Sequence, residues 1–419
     1  MGINKNIIYD IAVIGGGAAG LMSAVIASQS KKSVILIEKN IDLGRKILAT
    51  GNGRCNLTNR LTNVSRYHGG NTTFIESVLK QFDQFKTIRF FEDLGLVLKE
   101  ENLGRIFPRT DEAKSVVDAL AYELKKNNVE ISFNNQVRKL EILKLAKGET
   151  SLFKITLENS TQIQAKNVIL TVGGQASPQF GSTGDAYFWL KNFGHTITPL
   201  YPALTPIETI ETWPKEIQGL KIEGKVTATV DSKVVNEKNG DLLFTHFGIS
   251  GPAAMAQAAA IGPYLNKSDI KIHIDLFPDQ SVSDVDEIIK KIIDSNGAKQ
   301  IKNTLFGLIP SRLAPIILTN LNIDPDKKSA EISKNNRLEI AKTLKNITLT
   351  VSNTRSFKEA QVTHGGVNLD EVNSETMESK IITGLYLAGE ILDVDGDSGG
   401  FNLQWAWSSG HLAGTNASR

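Results

Sequence analysis

Cysteine is nearly absent from this chain, whose 419 residues include only one, Cys55. A single cysteine excludes an internal disulfide, a redox-active cysteine pair and a cysteine-rich metal site. A chain that needs no disulfide suits a reducing compartment. We therefore expect a cytoplasmic protein, and we expect no metal centre.

A strong charge of one sign is also missing. The 47 Lys and Arg residues nearly balance the 45 Asp and Glu residues, for a net charge of +2. Such a balance gives no strong attraction to nucleic acid or to an anionic membrane, so we expect neither as a partner. The first ten residues lack the apolar core of a signal peptide. Residues 7–27 are largely apolar, but Asp10 and the glycine run argue against a membrane helix.

The segment DIAVIGGGAAG at residues 10–20 places Gly15, Gly17 and Gly20 in the spacing G-x-G-x-x-G. The apolar run before it predicts a buried parallel strand, and the small residues after it predict a helix. The first glycine permits the tight turn, the second lets a pyrophosphate approach, and the third lets helix and strand pack closely. Glu38 closes the next apolar run, where a carboxylate accepts from ribose hydroxyls. These residues, with Ala18, Ala19 and Lys39, predict a site for FAD or NAD rather than NADP.

A second Gly-rich segment lies at residues 384–414, where a short strand over 385–388 ends in Gly389-Glu390 and a helix over 402–412 follows Gly400. In flavoproteins of the glutathione-reductase type, a late strand ends in Gly-Asp, and that acid binds the ribityl hydroxyls of FAD. The next helix directs its N-terminus at the flavin. This segment resembles that arrangement, with Glu390 in place of Asp, so Glu390, Asp393 or Asp397 reaches the ribityl chain. The expected contacts are Gly389, Glu390, Gly400, Phe401, Asn402 and Leu403. The alternative is a Gly-rich helix cap with Trp405 and Trp407 in the core.

Six ordered blocks make the chain resemble the BaiN-like family of NAD(P)/FAD-dependent oxidoreductases over nearly its whole length. They are GGGAAG at 15–20, GRKILATGNGRCNLTN at 44–59, GGQASPQFGSTGDAY at 173–187, FTHFGISGP at 244–252, EAQVTHGGV at 359–367 and AGEILDVDGDSGGFNLQWAWSSG at 388–410. The resemblance implies an α/β fold, with a discontinuous Rossmann-like FAD-binding domain, an inserted β-barrel and a small helical subdomain.

The pattern of the chain predicts the same organisation. Residues 1–193 read as the first segment of the FAD-binding domain, with helical spacing over 74–94 and 114–127. Short β-rich runs separated by Pro and Gly predict a barrel over 194–278, and several helices follow over 279–345. Residues 346–358 return to the barrel, and 359–419 complete the FAD-binding domain.

Several loops supply further candidate cofactor contacts. Arg45 and Lys46 follow the Glu38 strand and would offset pyrophosphate charge, or form a solvated basic turn. Asn52 and Asn56 lie in a Gly-rich loop that would approach the flavin ring, or make Asx-turns. A strand ends at Gly173-Gly174, and Val137 matches a position whose backbone often contacts adenine in such folds. We expect Arg45, Lys46, Asn52, Asn56, Val137, Gly173 and Gly174 beside FAD.

Three residues are candidates for the proton chemistry. His246 lies in a Gly-rich loop of the insert, and His364 precedes Gly365-Gly366; either would donate a proton while flavin N5 delivers hydride. Each is at least as well explained as a histidine making structural hydrogen bonds. Arg355 would bind a substrate carboxylate, or join the insert to the core.

The function predicted is that of an FAD-dependent oxidoreductase, which moves a hydride through flavin N5 to an electron-poor C=C bond of a small apolar substrate. The resemblance supplies the substrate class, since family members are credited with reducing steroid-like enones. A second G-x-G-x-x-G is missing, so NAD(P)H would bind transiently over the flavin as electron donor. The alternatives are an RNA-linked, tRNA-modifying-like flavoprotein and a non-catalytic flavin-binding regulator. The sequence leaves the oligomeric state open.

Overall fold

The computed structural model describes residues 7–143 and 152–419. They fold into two compact units, one built from the described residues up to 201 together with 361–419 and the other from 202–360. The first unit is therefore discontinuous in sequence. The second is inserted into it.

The first unit begins with alternating strands and helices. Its elements up to residue 203 are β1 (Ile8–Ile14), α1 (Ala18–Ser28), β2 (Val34–Ile37), α2 (Arg45–Ala49), β3 (Thr58–Asn59), β4 (Tyr67–Gly69), α3 (Thr72–Gln81), α4 (Gln84–Asp93), β5 (Leu98–Glu101), β6 (Arg105–Pro108), α5 (Ala113–Lys126), β7 (Glu130–Ser132), β8 (Val137–Leu143), β9 (Leu152–Leu157), β10 (Gln162–Leu170), α6 (Asp185–Asn192) and β11 (Tyr201–Ala203). The predicted helical spacing over 74–94 corresponds to two helices, because the Asp83 carboxylate accepts from the backbone N–H of Lys86 and starts α4 anew.

The second unit contains β12 (Ile207–Thr209), β13 (Lys221–Val230), β14 (Lys233–Thr245), β15 (Gly248–Ser250), α7 (Pro252–Met255), α8 (Ala258–Ile261), β16 (Ile270–Asp275), α9 (Val282–Ser295), α10 (Ile301–Thr304), α11 (Leu313–Asn320), α12 (Lys334–Leu344) and β17 (Ile347–Thr354). The strands close into a barrel in the order β12-β15-β14-β13-β16-β17. Alternate barrel residues such as Val226, Ala228 and Ile272 point into an apolar core. Helices α9 and α12 are joined by an ion pair between Asp286 and Arg337, 2.8 Å apart.

The chain then returns to the first unit with β18 (Val362–His364), β19 (Leu385–Leu387), β20 (Val394–Gly396) and α13 (Phe401–Ala417). A seven-stranded sheet runs β7-β2-β1-β10-β9-β8, and β19 also pairs with β10. Strands β7, β2, β1, β10 and β19 are parallel, so their carboxyl ends meet at one edge. In such sheets, that edge is where ligands bind.

Helices α1 and α13 pack closely although they come from opposite ends of the chain. A Cβ on Gly410 would lie 2.6 Å from the carbonyl oxygen of Ala19, and one on Gly414 would lie 2.5 Å from that of Ser23. A Cβ on Gly389 would lie 2.9 Å from the Cβ of Ala19. Glycine therefore lets the C-terminal segment lie directly against the first helix of the glycine turn.

Candidate functional site

The glycine turn after β1 leaves an open space at the start of α1. A Cβ on Gly20 would lie 1.8 Å from the Gly15 carbonyl oxygen, so helix and turn are in close contact there. A Cβ on Gly17 would meet nothing within 4 Å. Gly17 caps α1 without a side-chain hydrogen bond, so the first N–H groups of Ala18 and Ala19 face this space. An open cradle at a helix N-terminus fits a pyrophosphate.

The carboxylate of Glu38 lies against this turn. Its Oε2 accepts from the backbone N–H of Gly16 at 2.7 Å, and its Oε1 accepts from that of Asn40 at 2.8 Å. Beyond it, a cavity of about 340 Å³ is lined in part by Lys39 and Gln136, the residue before buried Val137. The structure thus brings Lys39 and Gln136 to one cavity, whereas the side chain of Val137 is buried and does not line it.

A second group forms around the carboxylate of Glu390. Lys46 Nζ lies 2.7 Å from Glu390 Oε2, and Thr363 donates to Oε1 from its backbone N–H at 3.0 Å and its hydroxyl at 2.9 Å. A Cβ on Gly174 would lie 2.4 Å from Thr363 Oγ1, so only glycine fits beside this threonine. Gly173 before it has a φ of +77°. Arg45 instead donates to Asn40 Oδ1 at 2.8 Å and lies apart from Lys46.

The start of α13 carries unsatisfied donors next to an unsatisfied acceptor. Gly400 caps the helix at a φ of +101° without a side-chain hydrogen bond, which leaves N–H groups of Phe401, Asn402 and Leu403 free of helical partners. Asn56 Oδ1 is buried and has no hydrogen-bond partner among the residues that the structure describes, and a Cβ on Gly400 would lie 2.9 Å from it. Donors beside a lone acceptor fit the pyrimidine edge of a flavin, which has carbonyl oxygens and an N–H.

Two neighbours in the same Gly-rich loop differ from Asn56. Asn52 is exposed and has a φ of +57°, a conformation that asparagine tolerates in turns. Cys55 is buried, and burial raises the pKa of its thiol to about 12. The loop therefore directs Asn56 inward and holds Cys55 as an unreactive thiol.

His364 is held by a buried carboxylate. Its Nδ1 lies 2.6 Å from Asp395 Oδ1, and Asp395 is 3% exposed. Burial alone would lower the pKa of His364, but the hydrogen bond to Asp395 and the charges of Asp395 and Asp393 outweigh burial and raise it above its usual value. His364 directly follows Thr363, which binds Glu390, and the two side chains point to opposite faces of β18.

His246 and Arg355 lie in the barrel unit. The ring of His246 contacts that of Phe247 edge-on, with 4.9 Å between centroids. The guanidinium of Arg355 is paired with two carboxylates, at 2.5 Å from Glu208 and 2.7 Å from Glu359, and it lies over the Phe247 ring. The Arg355 guanidinium is therefore already paired with carboxylates, the group through which a substrate would bind it.

The sequence did not indicate which side chains pair with the candidates. Lys46 and Glu390 are 344 residues apart, and His364 and Asp395 are 31 apart. No local spacing signals such pairs. The DVDGD run at 393–397, with three acidic residues in one short segment, was the one sequence signal for the carboxylates that hold these histidines.

Comparisons with known proteins show the family and the fold of this chain. A sequence model of the HI0933-like protein Rossmann domain matches residues 9–416. The chain is 37% identical to a 3-dehydro-bile acid delta(4,6)-reductase of Clostridium scindens, over 97% of this chain and 98% of that protein. It is 32% identical to a ribosomal RNA dihydrouridine synthase of Escherichia coli, over 96% of each. Among solved structures, the 3-ketosteroid delta1-dehydrogenase of Sterolibacterium denitrificans matches its fold, with a TM-score of 0.52 at 12% identity over 98% of this chain and 99% of that one.

These findings confirm the predicted resemblance, the Rossmann-like FAD-binding fold with an inserted barrel, and the prediction of an FAD-dependent oxidoreductase with FAD as cofactor. Within residues 7–143 and 152–419, the structure has no helix long and apolar enough to cross a membrane. The same described residues include no group of three or more His, Cys, Asp or Glu that could hold a metal.

Proposed function

We propose that this chain, which belongs to the HI0933-like protein Rossmann domain family, is an FAD-dependent reductase of electron-poor C=C bonds in small apolar substrates. The observation that carries this proposal is His364, a histidine with a raised pKa held by Asp395 next to the residues that fit FAD. The Clostridium scindens relative supports the substrate class, because its name describes reduction at the delta(4,6) positions of a keto bile acid.

Each part of FAD has a matching group of residues. The cradle at Gly17 would hold the pyrophosphate, and Glu38, Lys39 and Val137 the adenosine. Glu390 is our choice for the ribityl chain, because it follows β19 at the carboxyl edge of the parallel strands, where ligands bind in such sheets. The start of α13 and Asn56 would hold the pyrimidine edge. When bound, FAD supplies hydride transfer at N5, and we propose NADH or NADPH as its transient reductant.

The imidazole of His364 supplies the proton. Its Nδ1 faces Asp395, so we assign the Nδ1 proton to that hydrogen bond and the transferable proton to Nε2. A raised pKa keeps a larger share of the imidazole charged near neutral pH, which favours donation. Addition of hydride to the β-carbon of an enone requires a proton at the α-carbon, and His364 would give it there.

A pair of histidine variants tests this role. The FAD-loaded protein is reduced with dithionite without oxygen and mixed with a conjugated 3-ketosteroid, and flavin reoxidation is followed. General acids contribute on the order of 10²–10⁴-fold, so His364→Gln should slow reoxidation by at least about tenfold. His246→Gln in the barrel unit is the matched control. The opposite pattern, with only His246→Gln slow, would move the acid to His246.

Reduction by NADH or NADPH is tested in the same apparatus. The account expects one of the two to reduce the flavin much faster than a buffer control does. Equal rates for both nucleotides and the control would remove NAD(P)H from the proposal. The single cysteine supports a cytoplasmic location for this reaction.

Ribosomal RNA is the second candidate substrate, because two ribosomal RNA dihydrouridine synthases are 32% and 33% identical to this chain over almost its whole length. Making dihydrouridine adds two hydrogens across the C5=C6 bond of uridine, which is also conjugated to a carbonyl. Reduced protein would be mixed with unmodified ribosomal RNA in one sample and with the ketosteroid in another. Dihydrouridine in the RNA, without steroid reduction, would replace our first candidate with the second.

A further inference from the structure

Two imidazoles and two carboxylates meet on one face of the ribbon formed by β4 and β20. His68 lies directly opposite Asp395 in this antiparallel pair. Residues directly opposite each other point to the same face, with Cβ atoms roughly 4.5–5.5 Å apart. Asp397 lies two residues after Asp395, so it follows on the same side.

Each carboxylate of this face holds one histidine. Asp395 Oδ1 lies 2.6 Å from Nδ1 of His364, and Asp397 Oδ1 lies 3.0 Å from Nε2 of His68. The carboxylates are almost covered, with 3% and 10% of their side chains exposed. The imidazoles are more open, at 28% for His364 and 42% for His68. Of the two imidazoles, that of His364 is therefore the more sheltered, and that of His68 is the one more open to solvent.

The opposite face of the same ribbon borders the start of α13, because Gly396 and Tyr67 alternate with Asp395 and His68 along the two strands. Gly396 donates from its backbone N–H to Asn402 Oδ1 at 2.7 Å, and a Cβ on Gly396 would lie 2.9 Å from that of Phe401. On the other strand, the Tyr67 hydroxyl donates to the Phe401 carbonyl at 3.0 Å. The ribbon that carries His68 and Asp395 is therefore fixed, through its other face, to the helix end that fits the flavin ring.

The other charged groups here are few. Asp393 adds a third carboxylate near His364, and burial raises the pKa of Asp393. Arg66 lies 3.4 Å from the second oxygen of Asp397, on the solvent side. The Tyr201 ring lies 6.4 Å from that of His364. Negative charge therefore dominates around His364, and His68 shares its carboxylate with a cation.

We propose that His68 and His364, positioned by Asp397 and Asp395, form a proton relay that resupplies the acid of the proposed reductase from solvent. This inference rests on the proposed function. FAD, when bound and reduced, would supply the hydride to one carbon, and charged His364 gives its Nε2 proton to the neighbouring carbon and becomes neutral. His68 then passes a proton to His364, directly or through water, and takes one from solvent. The sum is the addition of one hydride and one proton, with the flavin oxidised and both histidines restored.

The first test needs no turnover. Imidazole titrations of the FAD-loaded protein are followed by NMR with nitrogen-labelled histidine. Loss of the Asp395 charge in Asp395→Asn should shift the midpoint of His364 to lower pH, since that carboxylate stabilises the charged ring. His68→Gln removes the second imidazole of the relay and should move the same midpoint measurably. An unmoved His364 midpoint in His68→Gln would show that the two rings are uncoupled, and it would overturn the relay.

The second test separates donation from resupply. In a single turnover, His364 starts charged, so His68→Gln should reoxidise reduced flavin at the wild-type rate, while Asp395→Asn should be slower. In repeated turnover with excess dithionite, the steady-state rate of His68→Gln should be roughly tenfold lower than that of the wild type. Addition of free imidazole should restore the rate. His273→Gln in the barrel unit is the matched control. Unchanged repeated turnover in His68→Gln would contradict the relay, whereas wild-type protein that never reduces the ketosteroid would instead refute the proposed function.

Discussion

Replacement of Gly17 by alanine should separate cofactor binding from folding. A Cβ on Gly17 meets nothing within 4 Å, and its φ of −79° suits an L-residue. Alanine restricts the unfolded chain, which stabilises, but it is a poorer helix cap than glycine, which destabilises. These effects oppose each other, so the free energy of unfolding of the apoprotein should change by less than about 1 kcal/mol. If the pyrophosphate lies over Gly17, however, the new methyl occupies its place.

We expect FAD affinity to fall by at least about tenfold in Gly17→Ala, which corresponds to about 1.4 kcal/mol. The assays are urea unfolding of the apoprotein and FAD titration by flavin fluorescence. Gly20→Ala is the contrasting variant, because its Cβ would lie 1.8 Å from the Gly15 carbonyl oxygen and 2.6 Å from Thr171 Oγ1. That overlap should destabilise the apoprotein itself by about 1–3 kcal/mol. Wild-type FAD affinity in Gly17→Ala would refute the placement of the pyrophosphate.

Two further predictions concern buried polar groups. Asn56→Ala removes an unpaired buried acceptor, so the apoprotein should be as stable as wild type or more stable in urea, while FAD should bind more weakly; equal FAD affinity would separate Asn56 from the flavin. Burial lowers the pKa of His411 to about 4, against about 6.5 in an unfolded chain, and the ring stacks on Phe82 at 4.0 Å. Stability from this neutral ring is present above about pH 6.5 and lost as pH falls through the folded pKa. In urea unfolding, the free energy of unfolding of the wild type should fall by about 2 kcal/mol more from pH 7.5 to pH 5 than that of His411→Gln. Equal losses in the two proteins would contradict the assignment of this pH dependence to His411.

The sequence allowed prediction of local features. The glycine turn, the strand and helix around it and the acid at Glu38 depend on neighbours within about 20 residues, where spacing is informative. The barrel followed from short strands between Pro and Gly. The helical spacing over 74–94 is confirmed, but the break between α3 and α4 was not predicted, since Asp83 reads as an ordinary polar residue until its side chain is seen to cap α4.

The chemistry of the site depends on contacts that sequence spacing does not encode. Glu390 could be aligned with an acid of other flavoproteins, but its ion pair with Lys46 spans 344 residues. His364 was one of two equivalent histidines until the structure placed Asp395 beside it. His68 was overlooked entirely, because its only distinction is its position across from Asp395 in β4 and β20.

The central claim is that this protein uses FAD to add two hydrogens across a conjugated C=C bond. The most direct measurement is an anaerobic single turnover, in which dithionite-reduced, FAD-loaded protein is mixed with a conjugated 3-ketosteroid and the product is analysed by mass spectrometry. The account predicts one product molecule per reduced flavin, heavier than the substrate by two hydrogen atoms, with flavin reoxidised at the same rate. Unchanged steroid, with flavin that stays reduced, would contradict the claim for this substrate class.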